Sequence, residues 1–415
     1  MQRKEVILMD ITRTIKVRLI LNNTNESLLL NNMLTQYAAA CDFVSQYVFD
    51  NGFELNSNKL SNKLYHDVRT KFNLKSQLAS SVFKTVTARY KTLDTVLSKK
   101  PYRIFDGVKA LYIKRDLNWL QKPIMFKRPQ ADLVRNRDYS FVDDLNQLSL
   151  QTLGKRIKVK YSTHGFEQYL DDTWKFGTGK LLRSGQKWFL HIAVTKSVTE
   201  SDMHQDVKHV VGLDRGLRFL ATSYDECGKT TFFDGKKILR KRAYYNKRRT
   251  ELQALGTKSA KRKLKSLSGK ENRWMTDVNH QLSKTLITRY GDHTLFVLED
   301  LTGVTFNTDN LPKSLRNSNR SWSFYQLEQF LTYKSALTAS QVVNVSAQYT
   351  SQRCPKCGVI RKANRDHSIH EYICENCGYH SNDDRIGAMN IQLLGTQYVS
   401  GIDKPRFTKN IITTA

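Results

Sequence analysis

The chain is short of acids, short of cysteines and without any long apolar run. Asp and Glu number 38 against 67 Lys and Arg, which leaves a net charge of +29 over 415 residues. Self-repulsion on that scale opposes folding unless a polyanion screens it, so a nucleic-acid partner is expected. No stretch approaches the roughly 20 apolar residues of a spanning helix, and Met1 to Asp10 lacks a signal-peptide pattern. A membrane partner is therefore not expected. Of six cysteines, Cys41 and Cys227 stand alone and four are paired in one motif. That excludes a disulfide framework and points to reduced, metal-binding use. No internal repeat or low-complexity segment is present, which excludes a solenoid. What remains is a chain with 40% apolar residues, enough for real cores in two to four domains.

Residues 12–21, TRTIKVRLIL, alternate as a half-buried strand. A helix is expected from about Leu28 to Phe49. In another, Leu78, Val82, Val86, Tyr90, Leu93 and Leu97 form one apolar face opposite Lys84, Arg89, Lys91, Lys99 and Lys100. A helical lobe with a basic exterior is thus expected over residues 25–120. From about Lys122 the segments are short and rich in strand formers, and GKLLRS and KWFLHIAVT flank a hairpin signal at Ser184-Gly185. This predicts a small antiparallel barrel, with the opening strand included and the helical lobe inserted.

After a polar linker at 201–208, HVVGLDRGLRFLATSYD and TTFFDGKK read as three strands. Lys236 to Lys265 reads as a basic helix or helical hairpin, with 13 Lys or Arg against the single acid Glu251. Its charged faces are expected in solvent or on phosphate, and Lys236, Lys237, Arg240, Lys241, Arg242, Lys247, Arg248 and Arg249 are its candidate nucleic-acid contacts. Trp274 to Tyr290 predicts another helix, HTLFVLED (293–300) a buried strand, Trp322 to Ala339 a helix, QVVNVSA (341–347) a strand and Asp384 to Leu394 the last helix. That order is the order of an RNase H-like α/β domain.

Three acids fall at the ends of these elements: Asp214 after VVGL, Glu299 after FVL, and Asp384 at the start of the last helix. A phosphodiester-cleaving site needs carboxylates from separate elements to hold two Mg²⁺ ions, one activating water and one steadying the leaving oxygen. Each acid alone has a simpler reading, and for Asp384 it is a helix cap. Asp300 is expected on the opposite face of its strand. Asp383 competes with Asp384 as the third ligand.

Cys354-x-x-Cys357 and Cys374-x-x-Cys377 enclose 16 residues. This is the spacing of a four-cysteine structural zinc site, which leaves no open position for chemistry. The insert carries Arg361, Lys362, Arg365, His367 and His370. The arginines and lysine are expected on nucleic acid, and the histidines on the surface rather than on the metal.

GLDRGLRFLAT, SGKENRWMTDVNHQLSK, FVLEDLTGV, YTSQRCPKCG and NDDRIGAMNI, in that order, resemble the transposon-encoded TnpB (OrfB) proteins and the compact type V CRISPR nucleases related to them. The resemblance is close over residues 209–394 and loose before them. It implies an RNA-guided DNA endonuclease with guide RNA and double-stranded target DNA as partners, in the cytoplasm of a prokaryote and associated with its nucleoid. The implied division is a wedge barrel in two parts (1–24 and 121–207), a recognition lobe (25–120), a RuvC nuclease domain (208–352), a zinc ribbon (353–380), the last RuvC motif (381–396) and a tail (397–415). It maps the catalytic, Mg²⁺-binding acids onto Asp214, Glu299 and Asp384, and brings Arg385 near the scissile phosphate. Where the family has Asn-Ala, this chain has Ile386-Gly387. The same residues also suit a DDE-type transposase or recombinase, or a nuclease-inactive RNA-guided repressor, and either a monomer or a dimer.

Overall fold

The computed structural model describes residues 8–105, 107, 109–142, 146–162, 164–165, 167–199, 206–216, 218–301, 324–366 and 368–408. The linker residues 201–205, His367 and the tail from 409 lie outside them. The chain divides into two compact units, residues 10–197 and residues 198–415 with 1–9.

In the first unit, strand β1 (Leu8–Ile20) leads into helices α1 (Thr24–Asp50), α2 (Ser57–Phe72) and α3 (Ser76–Ser98). Asn23 caps α1 by accepting from the Glu26 amide, and Asn56 caps α2. The expected α3 stripe is buried from Leu78 to Tyr90, and α3 packs on α1, with Tyr37 of α1 hydrogen-bonded to Ser81 and Ser45 to Tyr90. Cys41 is part of that core.

The helical reading of residues 25–120 stops at Ser98. Beyond it, β2 (Tyr102–Phe105) and β3 (Ala110–Ile113) form a separate antiparallel hairpin. Then come β4 (Gln130–Leu133), β5 (Tyr139–Val142), β6 (Gln147–Leu150), β7 (Ile157–Ser162), β8 (Lys175–Ser184) and β9 (Lys187–Thr199). With β1 they make a seven-stranded antiparallel sheet, ordered β4-β8-β9-β1-β7-β6-β5, that nearly closes into a barrel. Gly185 (φ +61°) turns β8 into β9, as the hairpin signal expects.

The second unit is built on a mixed sheet. Strands β10 (His209–Asp214), β11 (Phe219–Tyr224) and β12 (Thr230–Asp234) are antiparallel neighbours. Helices α4 (Lys236–Leu255) and α5 (Lys258–Tyr290) follow, then β13 (Thr294–Glu299), α6 (Phe324–Ala336) and β14 (Gln341–Val345). The sheet order is β12-β11-β10-β13-β14, with β10, β13 and β14 parallel.

Thr294 to Leu298 are all buried, as a parallel strand covered on both faces must be. Val211, Leu213, Phe296 and Leu298 face α5 and α6, while Val210, Leu295 and Val297 face the last helix, α7 (Asp383–Val399). Each of these large side chains contributes about 2 kcal/mol by leaving water. The basic stretch is two helices, broken at Gly256 in the left-handed region (φ +63°), and α5 runs unbroken through the segment expected as a separate helix from Trp274. Among the described residues no helix is long and apolar enough to cross a membrane.

Between β14 and α7 the chain makes a small module, with a three-stranded sheet of β15 (Arg365–Asp366), β16 (Glu371–Ile373) and β17 (His380–Asn382). Its core is Cys354, Tyr372, Cys374 and Ile386.

Candidate active site and metal centre

Asp214 and Glu299 are the last residues of adjacent parallel strands, in a register that pairs Leu213 with Leu298. Their carboxyls emerge side by side at the carboxyl end of the sheet. Helix α7 can lie against this end because of its own and the sheet's glycines. A Cβ on Gly212 would sit 2.2 Å from the Ala388 carbonyl oxygen, and one on Gly387 would sit 2.5 Å from Asp214 Oδ2. Fixed backbone excludes a side chain at Gly212, whereas one at Gly387 would displace the Asp214 carboxylate, for which Gly387 leaves room. Ile386 is fully buried in the core of the cysteine module and does not face the acids.

Asp384 comes to the same spot from the α7 N-terminus. The Asp384 amide donates to Asn382 Oδ1 (3.1 Å) and to Asp383 Oδ1 (2.9 Å). The acids perturb one another. Burial, then the carboxylates of Glu299 and Asp384, push the Asp214 carboxyl well above the ordinary range, while Arg365 pulls the other way. Burial also raises Glu299, against a hydrogen bond from Thr350 Oγ1 and the cations Arg215 and Arg365. Asp384 is raised by burial and by Asp383. Three acids that desolvation pushes toward protonation, Asp214 also by repulsion from the other two, form a donor set that a hard divalent cation would relieve.

Asp383 is used differently. It is fully buried, accepts from Arg365 Nε (2.9 Å), and has His370 Nδ1 3.4 Å from its Oδ1, without hydrogen-bond geometry. This corrects two expectations. Arg365 points inward, also lying 3.9 Å from Asp384 Oδ1, and is not a free nucleic-acid contact. His370 is no plain surface residue: with Asp383 and Asp384 it forms a group whose ligand atoms lie within 4.8 Å of one another. Asp214, Glu299 and Asp384 do not close to that distance as a trio among the described residues.

The sequence reading also missed supporting residues. Arg215 is buried and donates to the Glu299 carbonyl oxygen (2.6 Å) and to Glu328 (2.9 Å). Buried Asn390 donates to the carbonyls of Thr350 (2.7 Å) and Arg353 (2.8 Å), fixing the loop whose Thr350 hydroxyl donates to Glu299. The position of Arg215 beside Asp214 was the one signal for it.

The four cysteines fit zinc. Cys354 and Cys377 Sγ are 3.6 Å apart, as are Cys357 and Cys374 Sγ. Four sulfurs at about 2.3 Å from a tetrahedral ion lie about 3.8 Å apart, whereas a disulfide needs about 2.05 Å. Each Cys-x-x-Cys closes on itself, with the Gly358 amide on the Cys354 carbonyl (2.9 Å) and the Gly378 amide on the Cys374 carbonyl (2.8 Å). Both glycines have positive φ.

The basic candidates divide. Lys236, Lys237, Arg240, Lys241, Lys247, Arg361 and Lys362 are exposed, although Lys241 stands over the Trp274 ring and Arg361 pairs with Glu375. Arg242 is buried, Arg248 pairs with Glu251, and Arg249 pairs with Glu271. Arg242 is a correction, since it is buried in the fold; Arg248 and Arg249 stay partly exposed, each paired with one glutamate. Arg385 is half-buried and donates to Thr230 Oγ1 (3.0 Å).

A family model described as a probable transposase matches residues 191–302, and a Cas12f1-like TNB domain matches residues 324–391. The chain is 29% identical over 317 residues to the CRISPR-associated endodeoxyribonuclease Cas12f1 of Syntrophomonas palmitatica, covering 72% of this chain and 60% of the relative. It is 26% identical over 245 residues to a TnpB-like protein of Methanocaldococcus jannaschii, covering 57% and 86%. Over these segments the chain is similar to TnpB-like and Cas12f1 proteins. A further relative is a putative RNA-guided DNA endonuclease, InsQ, of Escherichia coli, 30% identical over 229 residues, covering 50% of this chain and 54% of the relative. The match thus spans less than two thirds of Cas12f1 and of InsQ. The segments matched by the two models take in Asp214, Glu299 and Asp384 together with all four cysteines.

Proposed function

We propose that the chain is an RNA-guided DNA endonuclease, and that the sheet unit is a RuvC-type nuclease domain carrying a zinc ribbon. The observation that carries this is the convergence of Asp214, Glu299 and Asp384 from two strand ends and one helix start, with Gly387 leaving room for the Asp214 carboxylate. Asp214, Glu299 and Asp384 would hold Mg²⁺, which supplies activation of water and stabilisation of the leaving oxygen. Thr350 and Arg215 favour the ionised form of Glu299 against the burial that raises its carboxyl. Sequence choice falls to base pairing with a guide RNA beside a short adjacent motif, and the exposed cations of α4 serve the phosphate backbone without reading bases. The relatives' names, an endodeoxyribonuclease and an RNA-guided DNA endonuclease, support this reading.

The test is to purify the protein with its associated RNA, sequence that RNA, and assay cleavage of matched DNA with Mg²⁺. Guide-dependent cutting, abolished in Asp214→Ala while guided binding persists, is the expected result. End joining without any RNA requirement would instead make the chain a transposase. Guided binding without cutting by the parent protein would make it a repressor.

A further inference from the structure

The β2–β3 hairpin exposes both of its faces. All four residues of β2 are exposed, as are Leu111, Tyr112 and Ile113 of β3. A two-stranded hairpin is at best marginally stable in water, and one this apolar gains from a partner. Its register places Arg103 opposite Tyr112 and Phe105 opposite Ala110 on one face, with Tyr102, Ile104, Leu111 and Ile113 on the other. The second face has the Trp119 ring 5.6 Å from Tyr102. The first face carries the two most exposed aromatics of the hairpin, Phe105 at 66% and Tyr112 at 63%. They are diagonal neighbours across the strands, about 7–8 Å apart at Cα, with Arg103 beside them.

The charge around this face selects the occupant. Residues 99–116 hold Lys99, Lys100, Arg103, Lys109, Lys114 and Arg115 against Asp106 and Asp116. An apolar protein surface docking here would bring six cations into its rim. A single-stranded nucleic acid offers phosphates to the cations and bases to the two rings. We propose that this hairpin is a stacking platform for single-stranded nucleic acid, with Phe105 and Tyr112 each taking a base and Arg103 and the flanking lysines taking phosphates. The hairpin belongs to the first compact unit and the carboxylates to the second, and its test reads binding rather than cutting.

The experiment uses the full zinc-loaded chain with short oligothymidine, oligouridine and an abasic oligonucleotide at fixed salt. A Phe105→Trp variant reports stacking at the site, and a Phe105→Ala/Tyr112→Ala variant removes both rings. The proposal expects both base-bearing strands, or one of them, to quench the added tryptophan and to photocross-link to peptide 102–113. It also expects the double alanine variant to lose about tenfold or more in affinity for that strand and nothing for the abasic one. Tighter binding of one sugar type names the strand as DNA or RNA. Absence of quenching in Phe105→Trp would overturn the proposal. So would equal affinity losses for abasic and base-bearing strands. A parent dimer that the double alanine variant converts to monomer in sedimentation would give the face to a second copy of the chain instead.

Discussion

Two strand-end acids and two helix-start acids meet in one small region, held by different means. Asp214 and Glu299 are placed by the register of β10 against β13, inside a sheet buried on both faces, and nothing around them neutralises their charge fully. Asp383 and Asp384 are placed by a helix cap and by the cysteine module, whose Arg365 and His370 reach back to them. The strand-end pair is a cost to the fold that a cation can offset. Asp383 is already satisfied and works as a fastener. Sequence neighbours on one helix turn can therefore have opposite energetic roles, and burial with named partners separates them where sequence spacing does not.

The largest expected effect tests whether the helix-start acids depend on the ribbon. Cys354→Ser should lower zinc content and unfold the module, because a closed thiolate site contributes folding energy outright, about 10 kcal/mol or more for structural zinc. With the ribbon loose, Arg365 and His370 leave Asp383, while β10 and β13 keep their register. Hydrogen exchange is expected to rise over residues 353–382 and at the start of α7, with little change in β13. Unchanged zinc stoichiometry and melting temperature would break the comparison.

A smaller effect carries the sharper test, because the two kinds of acid should respond with opposite sign. Asp383→Asn removes the buried charge that half-buried Arg365 faces, and breaking such a pair costs about 3 kcal/mol. Asp214 is the reverse. Its folded-state affinity for a proton is raised above that of the unfolded chain, so the folded form binds more protons and stability falls as pH rises through the raised value. In Mg²⁺-free buffer, thermal melts should therefore weaken from mildly acidic to neutral pH, and added Mg²⁺ should restore them at neutral pH. Asp214→Asn should flatten that slope and raise the melting temperature by a few degrees. A destabilised Asp214→Asn would mean its carboxylate is paired in a way the geometry does not show.

The sequence carries the strand-end acids openly. VVGLD and FVLED are apolar runs that stop on an acid, the pattern of a buried strand whose end carries a carboxylate. The cysteine pairs are equally plain, since four thiols at that spacing have one common use. Other features depend on tertiary contacts no local pattern encodes. Arg365 and Asp383 are 18 positions apart and meet only because the two cysteine knuckles fold the insert back. Helix α5 was split in two because its first half has almost no apolar face, and its buried positions begin in earnest at Glu271. The β2–β3 hairpin had a local signal, the Asp106-Gly107 pair between YRIF and ALYI. The strong helical period just before it drew that segment into the helical lobe.

The smallest expected effect separates orientation from charge at Glu299. Thr350 Oγ1 donates to Glu299 Oε1, and Asn390 fixes the Thr350 backbone from α7. That bond favours the ionised carboxyl, against the burial that disfavours it. Thr350→Val keeps the volume and removes the donor, so the Glu299 carboxyl should hold its proton to higher pH. The acid limb of the cleavage profile should then move upward by about one pH unit, the size of a typical hydrogen bond to a charged group, with the rate at high pH little changed. A uniform loss of rate at every pH would mean that Thr350 chiefly orients Glu299. In that case the helix-start elements govern the strand-end acids through geometry, and the division drawn between the two kinds of acid would hold for charge alone.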